Sequence, residues 1–86
     1  MNKNNQTVAT AFPMNRARKG DRIRILELTC GWGVRQHFNQ MGIHAGDELV
    51  VKRRAIFGGP LLVELNGSQM AMGRGMARQV IVQKLP

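Results

Sequence analysis

The stretch FNQMGIHAGDELVV, residues 38–51, sets two glycines with three residues between them, follows the second with two acids, and then runs into Leu and Val. Each piece of this punctuation has a structural reading. Upstream, Val34, Phe38 and Met41 fall at i, i+4 and i+7, the apolar stripe of a short amphipathic helix. Gly42 fits the left-handed position just past that helix, and Ile43 can then pack back on Phe38 in a Schellman arrangement. The sequence AGD turns the chain a second time. ELVVKRRAI follows as a strand with mixed faces.

Working outward, DRIRILEL (21–28) alternates. Ile23, Ile25 and Glu27 share one face; Arg22, Arg24, Leu26 and Leu28 share the other. That is a half-buried strand, and GWG (31–33) ends it. Downstream, FGGP (57–60) is a turn and LLVEL (61–65) a strand with Leu61, Val63 and Leu65 on one side. Asn66-Gly67 is a strong hairpin signal, because both central positions of a type I′ turn need positive φ. SQMAM (68–72) is the return strand, GRGMAR (73–78) a turn with up to one turn of 3₁₀ helix, and QVIVQK (79–84) the last strand, with Val80 and Val82 opposing Ile81. Residues 1–11 are polar and aperiodic and read as a mobile tail. NRARKG (15–20) reads as an entry turn. The domain spans 12–86.

Five short strands, one short helix after the first and tight turns elsewhere predict a mostly β domain. A small barrel is the economical way to bury such strands and to remove sheet edges. A chain of 86 residues allows one compact domain. Most methionines fall inside elements and read as core filler.

Composition narrows the partners. The formal net charge is +8, from 13 Lys plus Arg against 5 Asp plus Glu. An acidic partner is favoured: nucleic acid, an anionic membrane surface or an acidic protein face. Cys30 is the single cysteine, so no internal disulfide and no four-thiolate metal cage can form. A reducing cytoplasm is the natural setting. No apolar run approaches the ~20 residues a bilayer needs, and the start lacks a secretory h-region. Any membrane role must go through a partner or through surface charge.

Candidate chemistry is sparse. Cys30, His37 and His44 recur every seven residues, yet Gly42 ends the helix before His44 and Cys30 precedes its start. Three residues so interrupted make no zinc site, and no metal ligand or cofactor site is assigned. GWG lacks both the third glycine of a dinucleotide loop and the Gly-Lys-Ser/Thr of a P-loop. Its alternatives are a turn that lets Trp32 cover the barrel end and one that sends it outward. The one serine, Ser68, has no base or acid partner in view. Asp47 and Glu48 are adjacent on a strand and point to opposite faces, a poor acid–base pair. No enzyme is expected. Lys52, Arg53 and Arg54, with Arg22, Arg24, Arg74 and Arg78, can form a basic stripe. A nucleic-acid-binding SH3-like domain is therefore the alternative reading, although no RNP or KH signature is present and stacking aromatics are few.

From Phe12 to Gln83 the chain resembles the ferrous iron transport protein A (FeoA) family. The segments that carry the resemblance are GDRIRILEL, FNQMGIHAGDELVV and FGGPLLVELNGSQMAMGRGMARQVIV. Phe38, Met41, Gly42, Ile43 and Gly46 stand where that family has a Leu-x-x-Leu-Gly-Ile segment and a following glycine. Gly59-Pro60, Gly67, Met70-Ala71-Met72, Ala77 and Val80-Ile81-Val82 match its later turn, hairpin and strands. His37-Phe38 replaces the usual Arg-Leu, and Gly73 and Gly75 interrupt the segment before Ala77. The resemblance implies a five-stranded SH3-like barrel. It also implies a cytoplasmic accessory of ferrous iron uptake that docks to or regulates the membrane transporter, ferrous iron transport protein B. Membrane contact would then come through that partner, and a metal-binding chaperone using Cys30, His37 and His44 is a third reading. The surface expected to dock is Trp32 with Arg35 and His37 on the helix, and next the stripe at Lys52, Arg53 and Arg54.

Overall fold

The computed structural model describes residues 11–86. The expected tail lies outside the described residues except for Ala11, which is already in a strand. Six strands form one sheet: β1 (Ala11–Pro13), β2 (Arg22–Leu28), β3 (Glu48–Arg54), β4 (Leu61–Leu65), β5 (Ser68–Met72) and β6 (Val80–Lys84). Every neighbouring pair is antiparallel, in the order β1-β6-β2-β3-β4-β5. This corrects the expected closed five-stranded barrel. A sixth strand is present, and no pairing joins β1 to β5 among the described residues, so the hydrogen-bonded sheet is open. The extra strand is three residues long and ends in Pro13, opposite Ile81. Proline is tolerated there because β1 lies at the sheet edge.

Helix α1 (Trp32–Met41) follows β2, as the apolar stripe predicts. A second helix, α2 (Arg74–Ala77), replaces the expected 3₁₀ turn. Phe38 is fully buried, and Val34 and Met41 pack against the core beside it. Burial of one such aromatic contributes roughly 1.5–3 kcal/mol. The helix ends at Gly42, whose φ of 81° is left-handed. Its N–H donates to Asn39 at 3.0 Å and that of Ile43 donates to Phe38 at 2.9 Å, the pair of bonds that defines the Schellman motif.

Asp47 explains the second glycine. Its N–H donates to the His44 carbonyl at 3.1 Å, and its carboxylate accepts from the His44 N–H at 2.8 Å. Gly46 occupies the positive-φ corner of that turn. Residues 18–21 repeat the device, with the Asp21 carboxylate accepting from the Arg18 N–H at 2.8 Å. Both turns feed strands that pair with each other, β2 and β3. Asn66 and Gly67 have φ of 52° and 85°, as the type I′ hairpin requires.

The core gathers Ile23, Ile25, Leu49, Val51, Leu61, Val63, Met72, Val80 and Val82 from the sheet, with Phe38 and Ile43 from the helix end. Two departures from simple alternation matter. A bulge between Ile25 and Glu27 shifts the register of β2, so Leu28 turns inward and Glu27 outward, the reverse of the expected faces. Leu26 is left 42% exposed. Met14, on a 3₁₀ turn, and Ala17 are fully buried, so part of the expected entry turn belongs to the core.

Candidate functional site

Helix α1 buries one face and presents another. Trp32, Arg35 and Asn39 fall at i, i+3 and i+7 and share an outward stripe. Trp32 is the first helical residue and is 75% exposed. It therefore does not cover an end of the sheet. Arg35 and Asn39 line an open groove between α1 and the end of β2, of about 480 Å³. Leu26, Leu28 and Ile43 supply its apolar wall, and Glu27 and His44 also line it. Leu26 faces outward by the alternation of β2, and the bulge beside it turns Leu28 inward at the strand end. Trp32 and the groove thus lie along one side of the helix.

Arg35 has a structural duty as well. Its guanidinium donates to the Leu28 carbonyl at 2.9 Å, fastening the first turn of α1 to the end of β2. That fixes its orientation over the groove and leaves other N–H groups for a partner. His37 lies elsewhere. Five residues from Trp32, it is turned by about 140° around the helix axis and is exposed on the opposite flank.

The β3 cations do not join the groove. Lys52 Nζ lies 3.4 Å from Glu64. Arg54 donates to the Ala17 carbonyl. Arg53 is exposed. Within the expected basic stripe, Lys52 and Arg53 are exposed, Lys52 beside Glu64, while Arg54 is partly buried on the Ala17 carbonyl. At the other end of β3, Glu48 accepts from Arg24 at 2.8 Å and lies 4.0 Å from Arg22. The Arg24 hydrogen bond, with the charges of Arg24 and Arg22, holds the Glu48 carboxyl below the usual carboxylate range against an opposing effect of desolvation.

Among the described residues, no group of three or more His, Cys, Asp or Glu is placed to hold a metal ion. His44 Nδ1 faces Asp47 at 3.7 Å and Cys30 packs against the core.

Two exposed apolar residues stand outside the expected docking surface: Ile56 and Phe57, 77% and 97% exposed in the loop between β3 and β4. Phe57 also has a positive φ of 57°. The adjacent apolar pair before Gly58-Gly59-Pro60 is visible in the sequence, but there it reads as a strand end followed by a turn.

The arrangement is that of a small SH3-like β domain whose prominent open feature is a helix-flanked groove. The FeoA domain family matches residues 12–84, and the chain belongs to that family. A candidate Fe(2+) transport protein A of Methanocaldococcus jannaschii is 32% identical over 72 residues, covering 84% of this chain and 85% of that protein. The crystal structure of an iron uptake regulatory protein (FeoA) superposes with a TM-score of 0.77 at 27% identity, covering 87% of this chain and 97% of that one. The solution structure of the FeoA protein from Chlorobium tepidum gives 0.78 at 28% identity, covering 87% and 71%. A manganese-dependent transcriptional repressor shares the fold at 22% identity, with a TM-score of 0.80, and the match covers 87% of this chain but only 42% of the repressor.

Proposed function

We propose that this chain acts in ferrous iron uptake by docking to the cytoplasmic side of the membrane iron transporter, ferrous iron transport protein B. The observation that carries the reading is the exposure of Trp32 at the head of the Trp32–Arg35–Asn39 stripe. A large aromatic left three-quarters exposed stabilises the monomer little, while tryptophan is enriched at the energetic centres of interfaces. The adjoining groove offers an apolar wall for a short partner segment, and Arg35 supplies charge at its edge. Membership of the FeoA family and the iron-transport names of its relatives support the choice of partner. The role is docking or regulation, with no reaction of its own.

No helix among the described residues is long and apolar enough to cross a membrane. In this reading the transporter holds the chain at the bilayer. The net charge of +8 would steer the encounter toward acidic partner groups, and the apolar groove would hold it. Affinity capture from membranes expressing the transporter, with and without its GTP-binding domain, tests the proposal. Capture of the intact transporter is expected, and loss on deleting that domain would locate the docking face. Failure to capture either form would refute it.

A further inference from the structure

The loop joining β3 to β4 carries the most exposed large apolar side chains among the described residues, Ile56 and Phe57. Phe57 sits in the left-handed region, a conformation that costs a non-glycine residue about 1–2 kcal/mol. Neither side chain contributes to the core, so folding gives no return on that cost. The loop is nevertheless held firmly. Arg74 reaches across from α2 and donates from Nε to the Gly59 carbonyl at 2.8 Å and from a terminal nitrogen to that of Ala55 at 3.2 Å. The Gly59 N–H closes the loop on the Ile56 carbonyl at 3.3 Å. Two apolar side chains are thereby propped outward on a tethered tip.

Cations surround this tip. Arg53 and Arg54 end β3 immediately before it, and Arg74 lies beneath it. Arg54 donates to the Ala17 carbonyl, which brings the exposed Arg18-Lys19 turn next to the Arg54 guanidinium. Among the described residues, no carboxylate stands within ion-pair distance of any of these five; Asp21, Asp47, Glu48 and Glu64 are matched with Arg22, Arg24, His44, Lys52 and Lys84 instead. An apolar tip set among unmatched cations is complementary to a surface that is negative outside and apolar beneath.

We infer that the Ile56–Phe57 tip is a contact site for an anionic phospholipid surface, inserting its two side chains at the headgroup boundary while the exposed cations Arg53, Arg18 and Lys19 meet lipid phosphates. The chemistry favours lipid over nucleic acid, since Ile56 has no π-face for a base to stack on. It favours lipid over a protein partner because both side chains are almost wholly in solvent on a short tip, the form suited to shallow insertion at a headgroup boundary. Each basic residue near an anionic leaflet contributes attraction that salt weakens, and the buried apolar area adds to it. The inference goes beyond transporter docking and is independent of it: the tip and the Trp32 groove belong to different elements.

The test uses the full chain and vesicles without any transporter. Co-sedimentation with vesicles of phosphatidylcholine and phosphatidylglycerol is expected, and none with phosphatidylcholine alone. Phe57→Asn, which suits the left-handed backbone and so should fold, is expected to lower the partition about tenfold or more. Moving the sole tryptophan to the tip, as Phe57→Trp with Trp32→Phe, gives a second readout: its emission should shift to the blue on adding the anionic vesicles. Absence of binding to anionic vesicles overturns the inference, as does binding unchanged by Phe57→Asn with no emission shift, which is adsorption by charge alone. Loss of transporter capture in Phe57→Asn without vesicle binding would instead make the tip a protein contact. RNA binding without vesicle binding would make it a nucleic-acid contact.

Discussion

Phe38 and Ile43 are locked together across the end of α1: the Ile43 N–H donates to the Phe38 carbonyl at 2.9 Å, and both side chains are fully buried. The bond closes only if Gly42 adopts its φ of 81°. One glycine therefore sets the angle at which the chain leaves the helix, and with it the wall of the groove that Ile43 and His44 line.

Gly42→Val should destabilise the domain by about 1–2 kcal/mol, because a β-branched residue is strained at positive φ. A Cβ there meets nothing within 4 Å, so the loss is one of backbone conformation and not of packing. Gly75→Ala is the control. Gly75 lies in α2, also in open space and without a positive φ, and the change should leave stability unchanged or raise it by about 0.4–1 kcal/mol. Chemical denaturation of the two variants checks both. Equal midpoints would show that the left-handed conformation of Gly42 does not hold the helix end.

The Arg24–Glu48 pair should make a small, acid-sensitive contribution to stability. Its carboxyl ionises more readily in the folded chain than in the unfolded one. The stabilisation is therefore complete above the unfolded value, about 4.3 for a glutamate, and is lost as pH falls through the lower folded one. Both side chains are largely exposed, so the effect is modest and weakened by salt. Melting temperatures of the native chain and Glu48→Gln should differ slightly near neutral pH and converge in acid. A native chain that melts below Glu48→Gln near neutral pH would mean that the pair destabilises the fold when ionised.

Much of this architecture is legible in residue order. The Val34, Phe38 and Met41 stripe, Gly42, the Asn66-Gly67 hairpin and the alternation of Leu61, Val63, Val80 and Val82 are local patterns whose outcome depends on near neighbours. Other features depend on distant ones. The bulge in β2 is set by pairing with β6, so the exchange of Leu28 and Glu27 is invisible in the alternation of β2 itself. The three residues of β1 have meaning only beside β6. For the site, Trp32 and Arg35 are accessible to sequence reasoning because they share a helix. His37 shares that helix too, but helical phase places it on the other flank, away from the groove. The roles of Leu26 and Asn39 in the groove, and the Arg74 tether, arise from contacts across the fold.

Arg74→Lys should release the loop at Ile56–Gly59. A lysine cannot reproduce the fork that meets two carbonyls at once. Partly buried charge-assisted bonds of this kind are worth about 1.5–3 kcal/mol in total stability at most, and local opening should respond more strongly than global unfolding. Amide hydrogen exchange at Gly59, whose N–H is bonded to Ile56, should quicken while exchange in β3 and β4 changes little. Unchanged exchange at Gly59 would show that Arg74 does not hold the loop.

Docking through Trp32 is tested most directly by the affinity of purified Trp32→Ala for the detergent-solubilised transporter, measured beside its melting temperature. The side chain is 75% exposed, so its removal should cost the fold little. For a domain of this size each kcal/mol corresponds to ~4–8 °C, and a shift within a few degrees is expected. Truncating a tryptophan at the centre of an interface typically costs at least 2 kcal/mol, a weakening of roughly 30-fold. Docking through this residue predicts that loss of affinity with the melting temperature preserved. Native affinity together with a native melting temperature in Trp32→Ala would contradict it.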